Sequence, residues 1–339
     1  MTTVGVLGAT GYTALELIKI LLHHPDVEFT RLTSRGDHGT PIGDCHPTLR
    51  GRLDLNLVDF DCDDFCQHVD VAFSCLPHAA ASPIVRQLLE NGLKVVDFSA
   101  DYRLNDIQTY DQWYQSPHAQ PERVGATAYG LPELFRAGIK GADLVANPGC
   151  FPTSSILPLA PLVKNDLIDT DEIVIDAKTG ISGAGKKPKP HLHFPEINDA
   201  VSAYAIGTHR HAPEIDQILT RFCGSNTEVV FTPHLIPMTQ GILSTIYVKP
   251  REGTMQSAAK SLCDCLAEFY KDSPFVRITD STPSTANVVN SNFCDISVHT
   301  NRGRIVITSA IDNLIKGASG AAVQNFNLML GHEETTALL

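Results

Sequence analysis

The stretch TVGVLGATGYTALELIKILL, residues 3–22, joins a short apolar run to a glycine turn and then to apolar residues at helical spacing. Val4, Val6 and Leu7 predict a short buried strand. The apolar residues from Leu15 onward recur with helical periodicity, and Pro25 ends the pattern. A strand that passes through a glycine turn into a helix is the opening unit of an α/β fold.

The glycine turn itself indicates a nucleotide site. Gly8 and Gly11 directly follow the strand and precede the helix, which is the context of a dinucleotide-binding turn. Gly8 permits the tight turn, Gly11 lets a pyrophosphate approach the backbone, and the helix N-terminus supplies N–H donors. Ala14 replaces the usual third glycine. The alternative is a glycine-rich turn with no ligand. The expected cofactor-binding residues of this turn are Gly8, Thr10, Gly11, Tyr12 and Thr13.

The end of the second predicted strand bears on which nucleotide is bound. NAD-specific folds place an acid there, which binds the ribose 2′-hydroxyl. This sequence offers Thr33, Ser34 and Arg35, and Asp37 lies slightly too far along. A hydroxyl and a guanidinium suit a 2′-phosphate, so NADP(H) is favoured. The alternative for Arg35 is a solvated loop residue.

The rest of the chain predicts two kinds of architecture. Strands alternate with helices as far as residue 165, which predicts a parallel sheet, and alternating strand-like runs with one clear helix, TMQSAAKSLCDCLAEFY, follow. We expect an α/β fold with a Rossmann-type NADP-binding domain and an α+β catalytic and dimerisation domain with a mostly antiparallel sheet. The predicted boundaries are 1–147, completed by a C-terminal helix over 312–339, and 148–311.

Composition narrows the range of partners. The 339 residues carry a formal net charge of −12, which argues against nucleic acid or an anionic membrane as the main partner. A local basic patch still permits an anionic substrate. The N-terminal apolar run has no basic residues before it and is broken by glycines, so we expect a cytoplasmic protein. Nine cysteines in such a chain predict free thiols.

Cys150 is the strongest nucleophile candidate. It stands in NPGCFPTSSILPLAPL, residues 147–162, between a predicted strand and a predicted helix. The helix N-terminus favours a thiolate, and its N–H groups can hold an oxyanion. Pro152 fits a first helical turn. The alternative is a small apolar residue. That interpretation is given to the other cysteines, which are Cys45, Cys62, Cys66, Cys75, Cys223, Cys263, Cys265 and Cys294.

The segment YAIGTHRHAPEID offers a proton carrier. His209 or His211 can exchange a proton with the thiol or with an alkoxide, and Glu214 can orient an imidazole. Arg210 can bind a carboxylate or a phosphate. A zinc site formed with the HLH of residues 191–193 is the alternative. It lacks a carboxylate ligand set, and neither CDDFC nor CDC has a second half at zinc spacing, so no metal is expected.

The segment DAKTGISGAGKKPKP predicts a strand followed by a glycine-rich loop. The backbone amides around Ser182 and Gly183 can form an anion-binding nest, and the lysines that follow add positive charge. A flexible, solvated basic loop is the alternative.

Taken together, these motifs resemble the N-acetyl-gamma-glutamyl-phosphate reductases over almost the whole chain. The strings that carry the resemblance are GATGYT, DFSADYRL, AYGLPEL, NPGCFPT, KTGISGAG, GTHRHAPEI, FTPHLIPMTQGI and DNLIKGASGAAVQN. The resemblance implies NADPH-dependent reduction of N-acetyl-L-glutamyl 5-phosphate to the 5-semialdehyde in arginine biosynthesis. Cys150 would form the thioester, and His209, with His211 as second choice, would be the acid/base. The lysine-rich GKKPKP departs from the common form.

The resemblance also completes the expected sites. Cofactor contacts are expected from Ser34, Arg35, Ser74, Gly183 and Asn313. Substrate contacts are expected from Asn147, Lys178, Ser182, Gly183 and Arg210. A small acyl phosphate is the expected partner, with a homodimer or homotetramer as the assembly. Rival functions are reduction of another acyl phosphate such as aspartyl phosphate, a non-catalytic NADP-binding redox sensor, and a zinc hydrolase.

Overall fold

The computed structural model describes residues 1–251 and 255–339. These residues form two compact units, Met1–Pro148 with Ala318–Leu339, and Gly149–Gly317. Among the described helices, none is both long enough and apolar enough to cross a membrane.

The described residues of the first unit build a seven-stranded parallel sheet in the order β3-β2-β1-β4-β5-β7-β6. Its strands are β1 (Thr2–Leu7), β2 (Val27–Thr33), β3 (Leu57–Val58), β4 (Val71–Ser74), β5 (Lys94–Asp97), β6 (Ala128–Tyr129) and β7 (Leu144–Ala146). Strand order reverses between β1 and β4, and Leu7 is in register with Thr33 on one side and Ser74 on the other. The carboxyl ends of three strands therefore meet where α/β sheets usually bind ligands.

Helices pack on this sheet through apolar faces. They are α1 (Tyr12–Leu21), α2 (Ile42–Cys45), α3 (Cys62–His68), α4 (Ser82–Glu90), α5 (Ile107–Tyr114), α6 (Pro132–Ile139) and the C-terminal α11 (Gly320–Leu330). In α1, Leu17, Ile18 and Leu21 are buried in the same cluster as Val323 and Phe326 of α11. Burial of each such side chain contributes about 1.5–3 kcal/mol. The C-terminal helix is thus part of the core of the first unit.

The described residues of the second unit form another seven-stranded sheet, in the order β12-β13-β14-β11-β8-β10-β9. The strands are β8 (Val174–Thr179), β9 (Ser202–Ala203), β10 (Val230–Leu235), β11 (Ile242–Val248), β12 (Val276–Ile278), β13 (Cys294–Asn301) and β14 (Arg304–Ile311). Only the β8–β10 and β12–β13 pairs are parallel within the described sheet. This mixed, mostly antiparallel sheet, together with the parallel sheet, confirms the predicted fold class.

One face of the second sheet is covered by helices. The helices of this unit are α7 (Cys150–Lys164), α8 (Phe194–Ile197), α9 (Ala212–Cys223) and α10 (Met255–Phe269). The residues of α7 from Phe151 to Val163 are all buried, so this helix is enclosed by protein on every side. The helix predicted from Thr254 begins at Met255 in the structure, and Thr254 lies outside the described residues. The irregular stretch after β8 contains short 3₁₀ turns at Ile181–Ala184 and Pro190–Leu192.

Candidate active site

A cleft of about 570 Å³ opens at the carboxyl ends of β1 and β2 in the first unit. Its walls come from the glycine turn, the end of β2 and the segment after β4. The lining residues are Leu7, Gly8, Thr10, Thr33, Ser34, Arg35, Asp37, Asp59, Phe60, Leu76, Pro77, Ala80 and Ile84. The structure thus brings four of the expected cofactor residues, Gly8, Thr10, Ser34 and Arg35, to one cleft.

The two glycines of the turn have the geometry of a nucleotide loop. Gly8 has φ of +74°, and a Cβ on it would lie 2.9 Å from the Cys75 carbonyl oxygen, so only glycine fits. Gly11 precedes α1, and a Cβ there would meet nothing closer than the Gly8 carbonyl oxygen at 3.7 Å. No side chain caps this helix N-terminus, and N–H groups at such an end suit a pyrophosphate. This backbone arrangement fits a dinucleotide.

At the end of β2, the structure shows how Ser34, Arg35 and Asp37 are arranged in the cleft. Ser34 donates a hydrogen bond from Oγ to Asp37 Oδ2 at 2.5 Å, and Thr10 Oγ1 lies 3.5 Å from Ser34 Oγ. Arg35 is exposed beside them. Asp37 therefore belongs to the cleft, although its position in the sequence placed it too far along. A guanidinium suits a 2′-phosphate and a carboxylate opposes it, and the cleft contains one of each.

Two expected ligand residues of the first unit are buried in structural roles. Asn147 is fully buried: its Nδ2 donates to the Ala318 carbonyl at 3.0 Å, and its Oδ1 accepts from Asn325 Nδ2 at 3.0 Å. Ser74 is also fully buried at the end of β4 and does not line the cleft, where Leu76 and Pro77 lie instead. Their expected contacts with substrate and cofactor stay predictions.

In the second unit, Cys150 is the first residue of α7, with Gly149 as the N-cap. Pro152 carries no N–H, so the first-turn donors belong to Cys150 and Phe151. Gly317 lies against the cysteine, because a Cβ on it would come 2.7 Å from Cys150 Cβ. Gly317 also donates its N–H to the Asp312 carbonyl at 2.8 Å, five residues earlier, within a π-helical turn over Ile315–Ser319. Such turns are frequent at functional sites.

Glu214 and His211 contact the turn before Cys150. The fully buried Glu214 accepts the Gly149 N–H at 2.9 Å, so this carboxylate fixes the backbone that presents the thiol. The His211 ring lies beside the same glycine, since a Cβ on Gly149 would come 2.6 Å from His211 Nε2. The structure therefore places His211 Nε2 next to the residue that precedes Cys150.

His209 has a different environment. Its ring packs edge-on against Phe151, Tyr204 and Phe231 at centroid distances of 5.3–5.5 Å. Burial, aided by the Arg210 charge, lowers the pKa of His209 to about 4. Its Nδ1 accepts the His211 N–H at 3.2 Å, so the neutral ring carries its proton on Nε2. His209 is thus a neutral imidazole at physiological pH.

A cavity of about 320 Å³ joins these groups. The residues that line it are Cys150, Phe151, Thr179, Gly183, Ala184, Lys189, His191, Leu192, Glu196, Ile197, Ala200, Ser202, Tyr204, His209, His211, Leu235 and Ile236. Four predicted site residues, Cys150, Gly183, His209 and His211, therefore share one cavity. The sequence did not point to the other lining residues of this segment, because it shows no periodic pattern that would direct side chains inward; they are Leu192, Glu196, Ile197, Ala200, Ser202 and Tyr204.

Several other predicted residues lie outside this lining. Thr179 of β8 faces the cavity, and because alternate residues of a strand point to opposite faces, Lys178 lies on the other face. There its Nζ pairs with Asp176 at 2.9 Å. Arg210 is exposed and is not among the lining residues.

Ser182 and Asn313 meet beside the cavity. Asn313 Nδ2 donates to Ser182 Oγ at 3.0 Å, and Asn313 Oδ1 accepts the Gly241 N–H at 2.7 Å. Asn313 thereby ties the loop after β8 to the loop before β11. Gly183 lies close by, since a Cβ on it would come 3.6 Å from Asn313 Nδ2. Within residues 1–251 and 255–339, no group of three or more His, Cys, Asp or Glu side chains is arranged to hold a metal ion.

The sequence is similar to known proteins along its full length. It is 51% identical over 338 residues to an N-acetyl-gamma-glutamyl-phosphate reductase of Rhodopirellula baltica, covering 99% of this chain and 98% of the relative. A relative of the same name from Desulforudis audaxviator is 46% identical over 343 residues, covering 100% and 98%. The chain belongs to the N-acetyl-gamma-glutamyl-phosphate reductase family.

Domain models and solved structures agree with this family. Residues 3–142 match a semialdehyde dehydrogenase NAD binding domain, and residues 150–313 match a semialdehyde dehydrogenase dimerisation domain. The fold is similar to aspartate semialdehyde dehydrogenase II of Vibrio cholerae, with TM-score 0.71, 15% identity and 98% coverage of both chains. The Candida albicans aspartate semialdehyde dehydrogenase with NADP gives 0.68 at 17% identity, covering 97% of this chain and 98% of that one. The predicted family, an oxidoreductase family with a nicotinamide-nucleotide domain, is confirmed.

Proposed function

We propose that the chain reduces N-acetyl-L-glutamyl 5-phosphate with NADPH to N-acetyl-L-glutamate 5-semialdehyde and phosphate, a step of arginine biosynthesis. The observation that carries the proposal is Cys150 at the N-terminus of α7, lining one cavity with two histidines in a chain of this family. A helix N-terminus favours the thiolate, which is the reactive form of a cysteine nucleophile.

Cys150 is proposed to accept the acyl group. Its thiolate attacks the acyl carbonyl, and the tetrahedral intermediate expels phosphate to leave a thioester. The first-turn N–H groups of Cys150 and Phe151 stabilise the oxyanion, since they point out of the helix end. NADPH, when bound, supplies the hydride that reduces the thioester carbonyl. Thiolate is a good leaving group, so the resulting thiohemiacetal collapses to the aldehyde and regenerates Cys150.

For proton transfer, the geometry favours His211 over the expected His209. His211 Nε2 faces the glycine beside the nucleophile, whereas His209 is enclosed by aromatic rings and holds its Nδ1 on a backbone N–H. An imidazole with a pKa of about 4 is a weak base at neutral pH. His211 is therefore proposed to take the thiol proton and to return one to the departing group. His209 supports it by accepting the His211 N–H.

For the cofactor, we propose that the cleft at the glycine turn binds NADP(H). Orphan N–H groups at the start of α1 suit the pyrophosphate, and Arg35 suits the 2′-phosphate. No disulfide joins any two of the nine cysteines, all of which lie within the described residues, which agrees with a reducing compartment, and we place the protein in the cytoplasm.

A homodimer is proposed to form through the uncovered face of the second sheet. Val174, Val230 and Tyr247 are large apolar side chains on that face, with exposed fractions of 37%, 61% and 37%. An exposed apolar patch on a sheet of this size marks an interface. A mass measurement in solution with Tyr247→Asp tests it: we expect a dimer that the substitution converts to monomer. A tetramer would need a further surface.

The chemistry is tested in the reverse direction with N-acetyl-glutamate semialdehyde, NADP and phosphate. Cys150→Ser should abolish turnover while NADPH binding persists, because the thiolate alone forms the acyl bond. Near-normal turnover of this variant would disprove the covalent scheme. Wild-type protein that turned over aspartate semialdehyde instead would move the function to another acyl phosphate. NADP binding with no Cys150-dependent turnover would indicate a redox sensor.

His209→Asn and His211→Asn separate the two histidines. We expect the His211 change to remove the acidic limb of the pH–rate profile, which reports the neutral imidazole that takes the proton, together with most of the activity, about 10²–10⁴-fold. The His209 change should leave that limb in place. The reverse outcome would restore His209 as the proton carrier.

A further inference from the structure

Part of the lining of the cavity that holds Cys150 comes from one segment, residues 189–204, and the proposed reaction steps use none of its side chains. The residues of this segment that line the cavity include Lys189, Leu192, Glu196, Ile197, Ala200 and Tyr204. The segment is anchored at its end, because β9 pairs with His234 and Leu235 of β10 and Tyr204 donates its N–H to the Pro233 carbonyl at 3.1 Å. The C-terminal end of the segment is therefore fixed to the second sheet.

This part of the cavity lining contains both apolar and charged side chains. Leu192 and Ile197 are half-buried and, with Ala200 and Ile236, supply apolar lining to the cavity. Lys189 carries the one ammonium among the described lining residues, and this ammonium makes no ion pair or hydrogen bond with any described group. The neighbouring Lys187 lies outside the lining. The cavity thus combines an apolar region with a single uncommitted cation.

A substrate of the proposed reaction has matching groups at the end remote from its reacting carbonyl. That end carries an α-carboxylate, an amide N–H and an acetyl methyl. The carboxylate needs a cation, the methyl needs apolar surface, and the amide N–H, the only donor of the substrate, needs an acceptor. Glu196 is the only carboxylate among the described lining residues and offers that acceptor.

We propose that residues 189–204 form the subsite for the N-acyl amino-acid end of the substrate. In it Lys189 binds the α-carboxylate, Glu196 accepts the amide N–H, and Leu192, Ile197 and Ala200 hold the acyl methyl. The inference rests on the proposed function and assigns its specificity. Lys189 replaces Arg210 as the carboxylate ligand, because Arg210 is exposed outside the lining.

The test is the reverse assay with the Lys189→Ala variant. KM is determined separately for the semialdehyde and for phosphate. Loss of a charge-assisted contact should raise KM for N-acetyl-glutamate semialdehyde about 10–100-fold. KM for phosphate should not change, and kcat should change by less than about threefold, because the contact is made equally in ground and transition states. Lys187→Ala is the matched control and should behave as wild type.

The outcomes separate the subsite from the function. If wild-type protein does not turn over the N-acetylated semialdehyde, the proposed function fails. If wild type is active and Lys189→Ala leaves both KM values unchanged, the subsite is wrong. A rise in KM for phosphate instead would make Lys189 a phosphate ligand and would also overturn the proposal.

A second variant tests the apolar side chains of the proposed subsite. Ile197→Ala should reduce the preference for the N-acetyl over the N-formyl substrate about fourfold, the worth of one buried methylene. An unchanged preference would remove Ile197 from the subsite. Equal melting temperatures for the variants and wild type exclude a folding defect as the cause of either change.

Discussion

Gly149→Ala should slow catalysis without unfolding the protein. Gly149 has φ −70° and ψ 154°, a conformation open to alanine. The added Cβ would lie 2.6 Å from His211 Nε2, while ordinary contact begins near 3.4 Å. The ring must therefore retreat by about 0.8 Å, and a displacement of about 1 Å in a catalytic group costs about 100-fold in rate. Stability should fall by only about 0.5–1 kcal/mol, the difference between glycine and alanine at an N-cap.

The assay is steady-state turnover in both directions, with the melting temperature measured beside it. Gly138→Ala is the matched control, because a Cβ on Gly138 of α6 meets no atom within 4 Å. We expect Gly138→Ala to keep wild-type kcat. Turnover of Gly149→Ala within threefold of wild type would refute the placement of His211 beside the nucleophile. A slow Gly149→Ala together with a fully active His211→Asn would move the effect to the Cys150 turn itself.

Two further substitutions test the carboxylates of Asp37 and Asp216. Asp37→Asn should raise the kcat/KM ratio of NADPH to NADH several-fold. The substitution removes the negative charge of the carboxylate that accepts the Ser34 hydrogen bond in the coenzyme cleft. An unchanged ratio would contradict the placement of the 2′-phosphate there. Burial raises the pKa of Asp216 to about 7. Because the folded state disfavours the ionised carboxylate, stability should fall as pH rises from about 4 to about 7. Asp216→Asn should then stabilise by about 1–2 kcal/mol at pH 8 and not at pH 4, measured by urea unfolding; equal gains at both pH values would contradict the ionisation.

The fold was largely predictable because its signals are local. The strand, the glycine turn and the apolar face of α1 lie within about twenty residues, and the structure places them as expected. The short strands β3, β6 and β9 have two residues each and leave no periodic trace. They are strands only because neighbouring strands supply their hydrogen-bond partners.

The site was predictable only in part. Cys150 follows a strand and begins a helix, which is a local signal. Lys178 also stands just before the glycine loop in the sequence. Side chains alternate between the two faces of β8, so Lys178 lies on the face away from the cavity, where it pairs with Asp176. In the sequence, Gly317 is only one residue of the DNLIKGASGAAVQN motif. A glycine is needed there because the position packs against Cys150, more than 160 residues away along the chain.

The sequence by itself determined the family, the two fold classes and the glycine turn, and it singled out Cys150 as the nucleophile candidate, because each depends on short-range pattern or on full-length similarity. The tertiary structure decided which histidine faces Gly149 and which lysine lines the cavity. His209 and His211 are two residues apart, and the sequence treats them alike. Their difference arises from packing, since Phe151 contacts both rings, Tyr204 and Phe231 pack against His209, and His211 Nε2 lies beside the glycine that precedes Cys150.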